Sequence, residues 1–168
     1  FEEKEISFIL GACENIEEIN IKYKQIEKCK ENGIREIVLI IGHLGEKIRE
    51  YFEAGEKWNV TITYIEEKEP LGTAGAFYYL QNFVGEEDFL LSYGDVFWDI
   101  DVERMLRFHR EKDSLCTLFV HPNTHPYDSD LIVCDDNDRI IGIDSKHNVR
   151  DYWYNNLVNA GFYIMNGK

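Results

Sequence analysis

Several short segments of the sequence combine residue types suited to phosphorylated or hydroxyl-rich ligands. Ser92-Tyr93-Gly94-Asp95 closes an apolar run. A carboxylate just past a buried strand can hold a hard cation such as Mg2+, which takes oxygen ligands and bridges to substrate phosphates. The plainer alternative is a turn aspartate that satisfies nearby amides. Asp99-Ile100-Asp101 follows closely. A D-x-D pair after a strand can also serve a metal, but Asp101 has a better use as the N-cap of the helix after it. Earlier, Glu69-Pro70-Leu71-Gly72-Thr73-Ala74-Gly75-Ala76 stands between a strand pattern and a helix pattern. Pro70 fixes one backbone angle, and Gly72 lacks a Cβ, so a flat ring or a phosphate can approach the backbone. Thr73 is suited to cap the helix, whose free amides offer donors to an anion. An ordinary glycine-containing cap would use the same residues.

His121-Pro122-Asn123-Thr124-His125-Pro126-Tyr127-Asp128-Ser129-Asp130 holds two histidines and two aspartates. It reads at first as a metal site, but its prolines prevent a helix, so His121 and His125 share no helical face. A polar loop for a hydroxyl-rich ligand is the preferred reading, with Tyr127, Asp128 and Asp130 supplying a flat face and oriented acceptors. Lys146, in Asp144-Ser145-Lys146-His147, can pair with a phosphate as a point charge; a solvated surface lysine is the alternative. Asn159 could bind a hydroxyl, and Gly161 could let a ligand approach the backbone of its strand. The aromatic and amide-rich tract at 151–156 is either a binding wall or a dimer contact.

The elements that position these residues follow from hydrophobic pattern. Strands are predicted at 6–10, 36–41, 60–65 and 89–93, the end of a helix at 24–32, and helices at 45–54, 73–83 and 101–112. The run Ile37-Val38-Leu39-Ile40-Ile41 has no polar alternation, which suits a parallel strand covered on both faces. Gly33 stops the first helix. From residue 115 the pattern changes to strands at 115–120, 131–134, 139–144 and 157–165. Alternation of strand and helix over the first two-thirds predicts an α/β fold with a mainly parallel, Rossmann-like sheet and helices on both faces. Ligands of such sheets bind beyond the carboxyl ends of the strands, which selects the segments at 11–13, 42–45, 66–75 and 94–101.

Composition bounds the partners. The chain has 168 residues, enough for one domain, with 44% hydrophobic and 30% charged residues. Its formal net charge of −14 repels phosphate backbones and anionic lipid, which argues against nucleic-acid and membrane-surface binding. No apolar run approaches the roughly 18 residues of a membrane span, and the first residues lack the form of a secretory signal. Cys13, Cys29, Cys116 and Cys134 form no C-x-x-C pair. They read as small buried hydrophobes in a reduced, cytoplasmic protein.

"EPLGTAGA", "YGDVFWDID", Lys146 and Asn159–Gly161 occur in an order that resembles the sugar-1-phosphate nucleotidyltransferases. The resemblance runs from about Gln25 to Lys168 and includes "NGIREIVLIIGHLGEKIREYF", similar to that family's second strand and following helix. Within the family, "HPNTHPYDSDLIV" and "IDSKHNVRDYWYNNLVNAGFYI" look most like the heptose-1-phosphate guanylyltransferases. The resemblance implies a nucleotidyltransferase or GT-A-like fold, Mg2+ as cofactor, and a nucleoside triphosphate (GTP favoured) and a sugar 1-phosphate as partners. It implies that Asp95 holds the metal and Lys146 the phosphate of the sugar phosphate. Gly11, Leu71, Gly72, Thr73 and Gly94 would lie on the nucleotide side. Tyr127, Asp128, Asp130, Asn159 and Gly161 would lie on the sugar side. A homo-oligomer is compatible with it.

The front of the chain departs from that family, which carries G-G-x-G-T-R-L and then P-K-P where this chain has Gly11-Ala12-Cys13-Glu14-Asn15. The expectation is a single catalytic domain that is incomplete near 11–23 and at the C-terminus. Two other readings follow from the same residues: a catalytically silent binding subunit of the same fold, and a D-x-D glycosyltransferase using Asp99 and Asp101.

Overall fold

The computed structural model describes residues 7–10, 17–42, 45–67, 75–80, 83–150 and 155–168. They fall into two compact units, Phe1–Thr117 with Tyr163–Lys168, and Leu118–Phe162.

The first unit carries the parallel strands β1 (Ser7–Leu10), β2 (Glu36–Ile41), β3 (Thr61–Glu66) and β4 (Phe89–Ser92) in the order β3-β2-β1-β4. Each pairing is parallel, with Phe8 opposite both Ile37 and Leu90, and Val38 opposite Thr63. Parallel neighbours need crossovers, and these carry α1 (Glu17–Glu31), α2 (Gly45–Phe52) and α3 (Gly75–Leu80); α4 (Val102–Glu111) follows β4. All of residues 37–41 are buried. Successive strand residues point to opposite faces, so both faces of β2 are covered, as its unbroken apolar run implied. Val38, Ile40, Ile65, Leu80, Phe89 and Leu91 form one core cluster, against which Tyr163 and Met165 pack.

The strand order has a consequence for ligands. From β1 the chain moves one way to β2 and β3, then returns to place β4 on the other side of β1. Leu10 and Ser92 are register partners, so β1 and β4 end side by side at the point where the order reverses. That is where open α/β sheets bind ligands.

Local sequence explains the helix ends. Gly33, at φ +79°, adopts the left-handed conformation after α1, and the Ile34 N–H donates to the Cys29 carbonyl at 2.9 Å. This closing turn is cheap only for glycine or asparagine. At α4 the Asp101 carboxylate accepts from the Arg104 N–H at 2.9 Å, the cap its position suggested. α1 runs from Glu17, so the segment at 24–32 is its second half, as a helix end should be; two of its inner positions, Lys22 and Gln25, are polar yet fully buried. An apolar periodicity cannot register them.

The second unit is antiparallel. β6 (Leu131–Cys134) and β7 (Ile140–Asp144) form a hairpin with Leu131 opposite Asp144, and β6 also pairs with β8 (Val158–Met165) at Val158. β5 (Cys116–His121) is a further partner of β8. The sheet is therefore mixed: the βαβ pattern governs the first unit, and β6 pairs antiparallel with both β7 and β8 in the second. No helix among the described residues is long and apolar enough to cross a membrane. Cys29 is buried and Cys116 and Cys134 half-buried, all as free thiols. Burial pushes each thiol up, which disfavours the reactive thiolate and agrees with the packing role expected of them. Cys13 lies outside the described residues.

His109 occupies the buried face of α4. Its Nδ1 lies 2.8 Å from the Thr117 hydroxyl and its Nε2 lies 3.7 Å from the Asp88 carboxylate. Desolvation lowers its pKa, with Asp88 opposing. The unfolded chain therefore binds the proton more readily than the fold does, so stability rises with pH through this range. The contribution is complete above the unfolded value of about 6.5 and declines as pH falls below it. Thermal melts between about pH 7.5 and 5 should show this loss. His109→Gln should flatten the slope, and an unchanged slope would locate the acid sensitivity elsewhere.

Candidate functional site

In the first unit the polypeptide leaving β4 turns at residues 93–96, with the Val96 N–H donating to the Tyr93 carbonyl at 3.4 Å. Gly94 is buried and Asp95 exposed. No described residue hydrogen-bonds or pairs with the Asp95 carboxylate. Its acidic neighbours differ. Asp99 forms an ion pair with Lys28 at 2.8 Å, and Asp101 is the α4 cap. Mg2+ keeps several waters and is bound through one or two carboxylates plus substrate phosphates. A single exposed carboxylate at the sheet's reversal point fits that donor set. Among the described residues there is no cluster of three or more histidines, cysteines or carboxylates that could hold a metal without substrate.

The same turn is held from below. The Lys22 ammonium donates to the Gly94 carbonyl at 3.3 Å. The Gln25 amide donates to the Tyr93 carbonyl at 3.0 Å and also to the Val96 carbonyl. The Lys24 ammonium lies 5.6 Å from the centre of the Phe97 ring. The hydrogen bond and salt bridge to Asp99 raise the Lys28 pKa.

The second unit gathers the residues expected on the sugar side. Asp130 accepts from the Lys146 backbone N–H at 2.8 Å. That bond is the first cause of its lowered pKa, with the Ser145 hydroxyl and the Lys146 charge adding to it against desolvation. The Lys146 side chain is exposed and makes no hydrogen bond or ion pair with a described residue. Tyr127 is 74% exposed, ready to offer a ring face. It sits in a 3₁₀ turn, Pro126–Asp128, where the Asp128 carboxylate lies 2.9 Å from His125 Nδ1. His121 turns away to the Pro122 carbonyl, so the two histidines do not converge. In β8 the Asn159 side-chain oxygen accepts from the Gly161 N–H at 3.0 Å, and Gly161 has φ +69°. Glycine is needed there for its backbone conformation. Gly11, Leu71, Gly72 and Thr73, and residues 151–154 of the aromatic tract, lie outside the described residues.

Arg150 is the organising residue that sequence reasoning missed. Its Nε donates to the Asp144 carboxylate at 2.6 Å, and both side chains are buried. Its Nη2 donates to the Ser129 carbonyl at 2.6 Å and the Asp144 carbonyl at 2.8 Å, and its Nη1 to the Pro126 carbonyl. Asn148 also donates to Asp144, at 2.7 Å. A second tie links Asn123 and Asn156, whose side chain donates to the Asn123 carbonyl at 2.6 Å and accepts from its N–H at 3.3 Å. One guanidinium thus joins the turn at 126–129 to the turn that carries Lys146. Its partners lie as far as 24 residues away in sequence, a distance no local pattern spans.

The first unit is an α/β unit with an exposed carboxylate at its reversal point, and the second is an antiparallel unit with an exposed lysine. The sequence pattern of the Nucleotidyl transferase family matches residues 15–168; the chain belongs to that family. It is 33% identical over 139 residues to the D-glycero-alpha-D-manno-heptose 1-phosphate guanylyltransferase of Campylobacter jejuni, covering 83% of this chain and 58% of that protein. It is 28% identical over 152 residues to the UTP--glucose-1-phosphate uridylyltransferase of Synechocystis, covering 83% of this chain and 39% of that protein. The chain therefore spans about two-fifths to three-fifths of the length of these relatives. Its fold matches the crystal structure of HddC from Yersinia pseudotuberculosis complexed with GMP-PN at a TM-score of 0.78. That match has 17% identity and covers 96% of this chain and 77% of that one.

Arg150→Met removes the guanidinium but leaves Asp144 buried. Breaking a buried pair from one side costs about 3 kcal/mol or more. Urea denaturation should show a loss of that size, and a loss below about 1 kcal/mol would rule out the clamp. Gly161→Ala should cost about 1 kcal/mol or more through its left-handed backbone alone.

Proposed function

We propose that this chain carries the nucleotidyl-transfer site of a sugar-1-phosphate nucleotidyltransferase. GTP is the favoured donor, and D-glycero-D-manno-heptose 1-phosphate the favoured acceptor. The observation that carries the reading is Asp95: an exposed carboxylate at the reversal point of the sheet, without a described partner, while both neighbouring aspartates are engaged. The family membership supports the same chemistry. Guanine and heptose rest on the likeness to the Campylobacter enzyme. The Synechocystis relative bears a uridylyl name, so the base is the finer part of the proposal.

The reaction needs little covalent help from the protein. An oxygen of the sugar phosphate attacks the α-phosphorus of the triphosphate in line. A new P–O bond forms, the bond to the β-phosphate oxygen breaks, and pyrophosphate leaves with its electron pair. The nucleophile is already ionised at neutral pH, so no general base is required. What remains is positioning and charge neutralisation. Asp95 would hold Mg2+, which when bound neutralises phosphate charge. Lys146 would hold the acceptor's phosphate as a point charge, its turn set by Asp130 and Arg150. The Gly94 backbone and the segment at 71–73 would meet the nucleotide. Tyr127 and Asn159 would line the sugar side.

The D-x-D glycosyltransferase reading loses support here, because Asp99 is paired with Lys28 and Asp101 caps α4. The silent binding subunit draws on the absence of G-T-R and P-K-P from the sequence, and the same assay separates it. Pyrophosphate release should be measured with GTP, CTP, UTP and dTTP against several sugar 1-phosphates. Turnover with GTP and a heptose 1-phosphate is expected. Binding of both substrates without any pyrophosphate would establish the silent subunit. Asp95→Asn should lower turnover by on the order of 100-fold or more with the melting temperature preserved. Lys146→Met should raise KM for the sugar phosphate about tenfold or more and leave KM for the triphosphate near its starting value. Full activity in Asp95→Asn would refute the assignment.

A further inference from the structure

We propose that Lys22 and Gln25 of α1 are positioning residues that hold the 93–96 backbone so that Asp95 is presented to a divalent cation. The inference rests on the reading of Asp95 as the cation ligand and deepens it.

The argument starts from the cost of these two side chains. Both are fully buried, on the inner face of a helix that also buries Ile26 and Cys29. Lysine is rarely fully buried, and a buried ammonium is tolerated only where acceptors surround it. Leucine or methionine would serve packing alone at lower cost. Gln25 makes the point more sharply. Its Nε2 serves two carbonyls, Tyr93 and Val96, while its Oε1 is buried without a hydrogen-bond partner among the described residues. Turning the amide over would set an oxygen against two carbonyl oxygens. The residue is therefore held for its donors, at the expense of its acceptor.

The bonds fall on either side of Asp95. The carbonyls of residues 93, 94 and 96 are tied to α1, and further along Asp99 is tied to Lys28. Asp95 stays exposed between them. With those carbonyls fixed, the peptide planes flanking Asp95 have little freedom, and the direction of its side chain is set by backbone rather than by any side-chain partner. Such supporting contacts act on metal affinity as the outer shell of a metal site does.

The test uses Mn2+ alone as the paramagnetic probe and reads backbone amide broadening by NMR, so turnover does not enter. In the unaltered protein the amides of residues 93–96 should broaden at lower Mn2+ than those at other acidic positions. Asp95→Asn should abolish that selectivity; if it persists, the reading of Asp95 falls and this inference with it. Gln25→Leu and Lys22→Met should each raise the Mn2+ concentration needed by about tenfold, and Lys22→Arg should restore part of the loss. If Asp95→Asn abolishes the selectivity while Gln25→Leu and Lys22→Met melt cooperatively with the midpoint unmoved, the positioning role is overturned and the cation site stands. A fall in melting temperature without a midpoint shift has the same meaning, because support of the fold alone would give it. Should both buried variants fail to fold, the surface pair decides. Lys28→Met and Asp99→Asn should each shift the midpoint in the same direction, by less than tenfold, and an unmoved midpoint overturns the proposal.

Discussion

A backbone that leaves a buried parallel strand loses its hydrogen-bonding neighbours at once, and every buried carbonyl it carries must find another donor. In this protein α1 supplies those donors for the segment after β4, through Lys22 and Gln25. The rest of the first unit is arranged so that this can happen. β4 returns to the side of β1 opposite β2, and α1 follows directly from β1. The same topology that creates a crevice at the reversal point therefore brings a helix face under its rim. A polar stripe on α1 is the chemical counterpart of that placement.

Much of this was legible in the sequence, for identifiable reasons. Residues 37–41 of β2 are an uninterrupted β-branched and leucine run, all of it buried. Asp101 precedes an amphipathic helix and is its cap. Gly33 follows the last inner-face position of α1 and takes the left-handed conformation. These are signals in which a few consecutive residues determine the outcome. The end of α1 was legible and its first half was not, because the rule that finds helices looks for apolar spacing, and Lys22 satisfies the spacing with the wrong polarity. The parallel reading holds for β1 to β4, and the strands read from residue 115 onward include the antiparallel pairs that make the sheet mixed. What separates the groups is the α-helices between strands, which are absent among the described residues after 111.

The candidate site divides the same way. Gly94-Asp95 stands out by its position after a strand, where Gly94 is buried and Asp95 exposed. Arg150 was not found, because its partners at 126, 129 and 144 meet it only once the hairpin is formed. The quoted stretch at 121–130 looked like a ligand loop because of its residue types. The structure gives part of that polarity internal work. Asn123 is held by Asn156, Asp128 lies against His125, and Asp130 anchors the Lys146 turn. Polar density in a loop without regular structure reports the need to satisfy its own backbone as much as any ligand.

That internal work bears on how an acidic protein keeps a lysine exposed. With a net charge of −14, an exposed ammonium would ordinarily settle against the nearest carboxylate. The two carboxylates of the network around its turn are occupied by other donors. Arg150 and Asn148 take Asp144, and the Lys146 backbone N–H takes an oxygen of Asp130. The first cause of the lowered Asp130 pKa is accordingly that amide and not the lysine charge. A carboxylate engaged by a backbone amide fixes the turn while leaving the side chain above it unpaired with any described residue. Asp130 thus holds the turn through the backbone and Asp144 is engaged by Arg150 and Asn148, which leaves the Lys146 ammonium exposed in a strongly negative chain.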